Sequence, residues 1–163
     1  MTQTQDTLLC FRIAEMRFAI SINAIKTVIR SVAVTPVPEG NNLIQGMMDF
    51  RGKIIPVINL RPRFNLPEKK IDINQQFIIV KNNSRRLVII ADTVEELITT
   101  ESLEISTVEM PFNPKQQNFD KFGLEVMQFF SDKQGIIVIY DIEKLIGTEG
   151  ILEIESFFNH REK

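Results

Sequence analysis

Apolar residues in this chain recur mostly with the two-residue period of strands, in short runs separated by turn-forming residues. Leu9, Phe11 and Ile13 alternate with Cys10, Arg12 and Ala14, a turn follows at Glu15-Met16, and Phe18 and Ile20 begin a return strand. Ile22, Ile25, Val28 and Ile29 then predict one or two helical turns running into a strand at about Val28. Val34 to Asn42, with two prolines, a glycine and two asparagines, predicts a loop. The central stretch, Leu43 to Phe64, is apolar on both sides of Arg51-Gly52 and reads as two strands joined by a tight turn. Gly52 supplies the positive φ such a turn often needs, while Pro56 requires a sheet edge, a bulge or a strand end. Asn59 is placed to cap a single helical turn over LRPRF.

The second part of the chain repeats this order of elements. After a polar connector from Asn65 to Asn74, Phe77 to Val80 and Leu87 to Ala91 form a hairpin about Asn82-Asn83-Ser84, and Val94, Leu97 and Ile98 make a shorter apolar stretch. Thr99 to Phe119 lacks periodicity and reads as irregular, with a short helix near Glu101 to Leu103. Phe122 to Phe130 and Ile136 to Tyr140 predict another hairpin, and Asp141 caps a helix that Gly147 ends. A terminal amphipathic helix over about 149–159 follows, with Ile151, Ile154, Phe157 and Phe158 at helical spacing. The repeated order predicts a mainly β chain, 1–163 as a single domain, made of two small β-units that share apolar surface.

Composition narrows the function. Nineteen basic and twenty-one acidic residues leave a net charge of −2, which offers no bulk attraction for nucleic acid or an anionic membrane. The start, MTQTQDT, lacks the features of a signal peptide, and no apolar run has the length of a membrane-spanning helix. With a single cysteine there is no internal disulfide, so the expectation is a cytoplasmic protein without direct membrane insertion.

Candidate chemistry is sparse. His160 lies in the charged tail, Cys10 sits on the strand face opposite Phe11 as a small buried thiol, and Asp92 reads as a turn residue. There is no metal-ligand spacing and no glycine-rich phosphate loop, so no catalytic residue, metal or cofactor is expected. One rival reading is a nucleic-acid-binding small barrel, since Arg51, Lys53, Arg61 and Arg63 cluster in sequence with Phe50 and Phe64. The acidic balance and the lack of tryptophan count against it.

Gly46, four residues, Arg51-Gly52, then IIPVINL and Phe64 resemble the signature of CheW-like domains, the adaptors of bacterial chemosensory arrays. The Phe11 to Ile20 hairpin, the Pro36 to Gly46 loop, Val88 to Asp92 followed by Val94, and Ile136 to Leu145 extend the resemblance from about Leu8 to Gly147. It departs at Thr27, where an acidic residue is common, at Asn59, where aspartate is frequent, and at Val88, where glycine is usual. The resemblance implies two five-stranded β-barrels sharing a hydrophobic core, with short helices and no enzymatic activity. It implies coupling of methyl-accepting chemoreceptors, through their cytoplasmic tips, to the regulatory domain of a histidine kinase at membrane-associated receptor arrays. An adaptor of a non-flagellar pathway, serving a pilus or another output, is the variant of this reading. By the same resemblance Arg51, Thr27, Phe77 and Leu97 face the receptor, Ile25 and Gly46 face the kinase, and Gly52 is a structural turn residue.

Overall fold

The computed structural model describes residues 7–37, 43–111 and 124–161. Eleven strands run among them: β1 (Thr7–Ile13), β2 (Met16–Ser21), β3 (Ile25–Arg30), β4 (Ile44–Phe50), β5 (Lys53–Ile58), β6 (Gln76–Asn82), β7 (Arg85–Ala91), β8 (Thr93–Thr99), β9 (Ser106–Pro111), β10 (Leu124–Asp132) and β11 (Gly135–Ile139). Helices α1 (Ile142–Ile146) and α2 (Thr148–Arg161) end the described chain. Short 3₁₀ turns at Ile22–Ala24, Pro62–Phe64 and Thr100–Ser102 fall between strands.

The strands form two sheets, ordered β8-β1-β2-β11-β10-β9 and β3-β6-β7-β5-β4. Each sheet takes its central hairpin from the opposite half of the chain. The β1–β2 hairpin lies between β8 and β11, while β6–β7 lies between β3 and β5. Both hairpins join their hosts by one antiparallel and one parallel pairing: Leu9 faces Leu97 and Phe18 lies beside Val138, just as Val28 faces Ile78 and Val88 lies beside Val57. The five-stranded sheet closes on itself, because the chain beyond β3 returns to β4 through paired Thr35–Met47 backbone bonds, both 2.8 Å.

Burial explains why these hairpins carry the most continuous apolar runs. Phe11, Ile13, Phe18 and Ile20 meet Ile78, Val80, Leu87 and Ile89 in a cluster between the sheets. The other faces of the same strands point away from it: Phe77, Ile79, Val88 and Ile90 into one flanking cluster, Leu8, Cys10 and Ala19 into the other. A strand covered on both faces has no solvent side on which polar residues would alternate. Phe18, Phe64 and Tyr140 pack with tilted rings, their centroids 5.0–6.1 Å apart.

Several element boundaries differ from the sequence reading. The first turn is Ala14-Glu15, with Met16 already paired to Ile13. Instead of helical turns running to Val28, only Ile22–Ala24 is helical and the strand begins at Ile25. One edge of the six-stranded sheet is β9, which falls in the stretch from Thr99 to Phe119 read as irregular, so one sheet has five strands and the other six. Pro56 sits inside β5, just before the β7 pairing starts at Val57, where its missing N–H breaks no ladder bond on that side. Asn59 is not the cap of the following 3₁₀ turn, whose N-cap position is Arg61 without a side-chain capping bond; its Oδ1 accepts from Arg61 N at 3.0 Å, just ahead of that turn. Asp141 accepts from Lys144 N at the start of α1. Residues 38–42 of the expected loop and residues 112–123 lie outside the described residues, as do the side chain of His160 and residues 1–6.

Candidate docking surface

The hairpin of β4 and β5 ends in Arg51-Gly52, with φ of 53° and 81°, a two-residue turn with both residues left-handed. This backbone suits the twist of paired strands, and Gly52 meets it without a steric cost. Asp49 Oδ1 accepts from Gly52 N at 2.8 Å and braces the turn. Arg51 has no such freedom and is nonetheless left-handed, exposed, with its guanidinium 5.0 Å from the Phe50 ring centre. A bulky residue held in that conformation is an outlier of the kind that gathers at functional positions.

The other residues drawn from the resemblance are spread over both sheets. Ile25 and Thr27 are half-buried on β3, opposite Val80 and Ile79. Leu97 is 57% exposed on β8, in the other sheet. Phe77, expected on the receptor face, is fully buried on β6 in the cluster with Ile79, Val88 and Ile90. Its contribution is to the packing beneath Phe50 and Ile29. Gly46 is buried too. A Cβ there would lie 2.3 Å from Thr35 O and 2.7 Å from Val34 Cγ1, so the glycine permits the backbone contact that closes the five-stranded sheet. Departure Asn59 uses its amide to donate to Gln45 Oε1 at 3.1 Å, and Val88 is fully buried.

The run of cations around the central hairpin does not assemble into a groove. Lys53 and Arg61 flank the two ends of β5, which at about 3.3 Å per residue separates them by most of the strand's length. Arg61 is 6% exposed and pairs with Asp92, while Arg63 lies over the Phe64 ring and donates to Lys144 O.

Two polar networks escaped the sequence reading. Arg17, 5% exposed, grips Asp132 with two bonds of 2.7 and 2.8 Å and reaches Glu95 at 3.1 Å. These bonds, ahead of burial, hold the Asp132 carboxyl down at about 2. Asp92 accepts from Ala14 N, Gln75 Nε2 and Arg61 Nη2. Burial pushes the Asp92 carboxyl up, but these three donors outweigh it and keep the group below its ordinary range. Partners 31 and 115 positions apart leave no local pattern in a sequence. Cys10 matches its reading as a buried thiol, pushed up to about 12 chiefly by burial, a value that suppresses thiolate chemistry. Ile54 and Ile136, 49% and 61% exposed beside hairpin turns, were hidden inside apolar runs that periodicity assigns to the core.

Two interlocked sheets with an exposed arginine turn define a class of small β module. The CheW-like domain model matches residues 7–150, and the chain belongs to that family. It is 27% identical to the chemotaxis protein CheW of Thermotoga maritima over 143 residues, 85% of this chain and 86% of that one. Identity to the chemotaxis protein CheW of Treponema pallidum is 27% over 158 residues, covering 93% and 88%. The crystal structure of the scaffolding protein TtCheW from Thermoanaerobacter tengcongensis superposes with a TM-score of 0.67 at 26% identity, over 90% of this chain and 91% of that one. Helix α2 runs past the end of the family match, and no helix among the described residues is long and apolar enough to cross a membrane.

Proposed function

We propose that this chain is a non-enzymatic adaptor of the cytoplasm that couples chemoreceptor tips to the regulatory domain of a histidine kinase by protein contacts alone. Family membership over residues 7–150 carries this reading. Arg51 supports it locally, as a charged side chain kept in a left-handed turn where glycine or asparagine would fit with less strain. Receptor contact falls to Arg51, Thr27 and Leu97, and kinase contact to the sheet of β3 and β4, with Ile25 on its surface. Phe77 and Gly46 act through packing. Such contacts are individually weak, and an array supplies avidity.

The test is calorimetry with a kinase regulatory domain and a chemoreceptor cytoplasmic fragment. Dissociation constants on the order of micromolar, about 8 kcal/mol, are expected. Arg51→Ala should change stability by less than about 0.5 kcal/mol, as at other exposed sites. It should weaken the receptor complex about tenfold, some 1.4 kcal/mol. Unchanged receptor affinity in this variant would remove Arg51 from the surface, and absence of both complexes would end the adaptor reading. Salt separates the rival: retention of single-stranded nucleic acid, falling steeply with ionic strength, would restore the barrel that binds it.

A further inference from the structure

Thr27 and Leu97 lie on strands of different sheets, so a surface that uses both depends on how the sheets are set against each other. The cluster between the sheets is almost entirely aliphatic and aromatic. Burial of that kind holds two faces together without specifying their angle, because the hydrophobic effect is non-directional. Hydrogen bonds to charged groups are directional, and one partly buried set of them crosses the junction.

Asp92 is the single residue between β7 of one sheet and β8 of the other. Its backbone N donates to Arg12 O, and its carboxylate accepts from Ala14 N at 2.8 Å, both on the β1–β2 hairpin. From the other sheet it accepts from Gln75 Nε2 at 2.9 Å, at the entry to β6, and from Arg61 Nη2 beyond the end of β5. Gln75 is 2% exposed, and its carbonyl accepts from Ser31 N at the end of β3. Arg61 in turn donates to Pro67 O. Val94 N adds a second crossing, donating to Gln76 Oε1 at 2.7 Å.

We infer that Asp92, Arg61 and Gln75 are positioning residues: their partly buried knot sets the angle between the sheets, so that β3 and β8 present Thr27 and Leu97 as one receptor-facing surface. The inference rests on the adaptor reading for its partner, but the angle itself is measurable without one. Kinase contact through β3 and β4 lies within a single sheet and is insensitive to the knot.

Nitroxide labels at Lys26→Cys and Glu96→Cys, both exposed on β3 and β8, report the distance between sheets. Labels at Lys26→Cys and Lys81→Cys, on neighbouring strands β3 and β6, report the geometry within one sheet. Cys10 is buried and stays unlabelled. Asp92→Asn and the milder Gln75→Met, each in the full chain and well below its melting temperature, should broaden or shift the 26–96 distribution and leave 26–81 unchanged. Without labels, both variants should bind a chemoreceptor cytoplasmic fragment about five- to tenfold more weakly, a typical size for coupling through a network, while kinase-domain affinity holds. An unaltered 26–96 distribution in folded Gln75→Met, equal broadening of both pairs, or unaltered receptor affinity would each overturn the inference. A wild-type chain that ignores the receptor fragment instead refutes the adaptor reading, and the distance result still decides whether the knot sets the angle.

Discussion

Gly52 and Arg51 occupy the same kind of backbone for different reasons. At Gly52 a Cβ would meet nothing within 4 Å, so space is not what excludes a side chain there. Only the φ of 81° does. Gly52→Val should therefore cost about 1–2 kcal/mol, the ordinary penalty of a left-handed residue with a β-branch. Chemical denaturation measures it, and an unchanged midpoint would show that the turn relaxes to another type. This turn was readable from Arg51-Gly52 between two apolar runs, since the local chemistry of glycine determines it. The burial of Phe77 was not, because a continuous apolar run does not reveal whether one or both faces are covered. Asp92 likewise read as a turn residue, and its ties to Arg61 and Gln75 arise only when the chain folds back.

Among the elements, β4 depends on the segment after β3. Gly46 lies at a register shift in β4, and Thr35 crosses over it to pair with Met47. Gly46→Leu should force the two backbones apart and cost about 1–3 kcal/mol, the range for overpacking, with hydrogen exchange at Met47 N rising more than at Met48. Equal protection in both proteins would mean that the strand absorbs the side chain without losing the bridge. Reduced kinase binding by such a variant would report a broken sheet edge and not a lost contact.

Arg17 ties β2, β8 and β10 through Glu95 and Asp132. Asp132 is depressed to about 2 in the folded chain, below its ordinary 3.8. A depressed carboxylate contributes stability that is complete above the unfolded value and is lost as pH falls through the folded one. Urea denaturation between pH 5 and 2 should thus show stability falling, and Asp132→Asn should flatten that fall. The same slope in both proteins would assign it to other carboxylates, Asp92 among them, which is shifted in the same direction.

For the whole molecule, the two-unit β architecture was visible in the repeated order of hairpin, short apolar connector, loop, longer hairpin and short helix. What the order concealed was membership. The β1–β2 hairpin looks like the start of the first unit, yet its partners are β8 and β11; β6–β7 looks like the start of the second, yet its partners are β3 and β5. Hydrophobic pattern specifies which face of a strand is buried and leaves open which distant strand covers it. The sixth strand, β9, was missed for a simpler cause, since the alternation of Val108 and Met110 with Thr107 and Glu109 is too short to stand out beside Pro111.

The exchanged hairpins also set an order of events during synthesis. As the chain leaves the ribosome, β1 and β2 emerge first, with Phe11, Phe18 and Ile20 made well before the Ile78, Val80, Leu87 and Ile89 that cover them, and with the outer edges of the hairpin open until β8 and then β11 appear. The three strands of the first half that belong to the other sheet wait in turn for β6 and β7. Neither sheet can be completed by one half of the chain, so folding must follow translation of nearly all of it, and long-range pairings of this sort are slow to close. The nascent first half is then a stretch of unpaired strand edges, the state in which β proteins most readily associate with one another. Such a chain would rely on chaperones, or on rapid completion of its own second half, to pass through that interval.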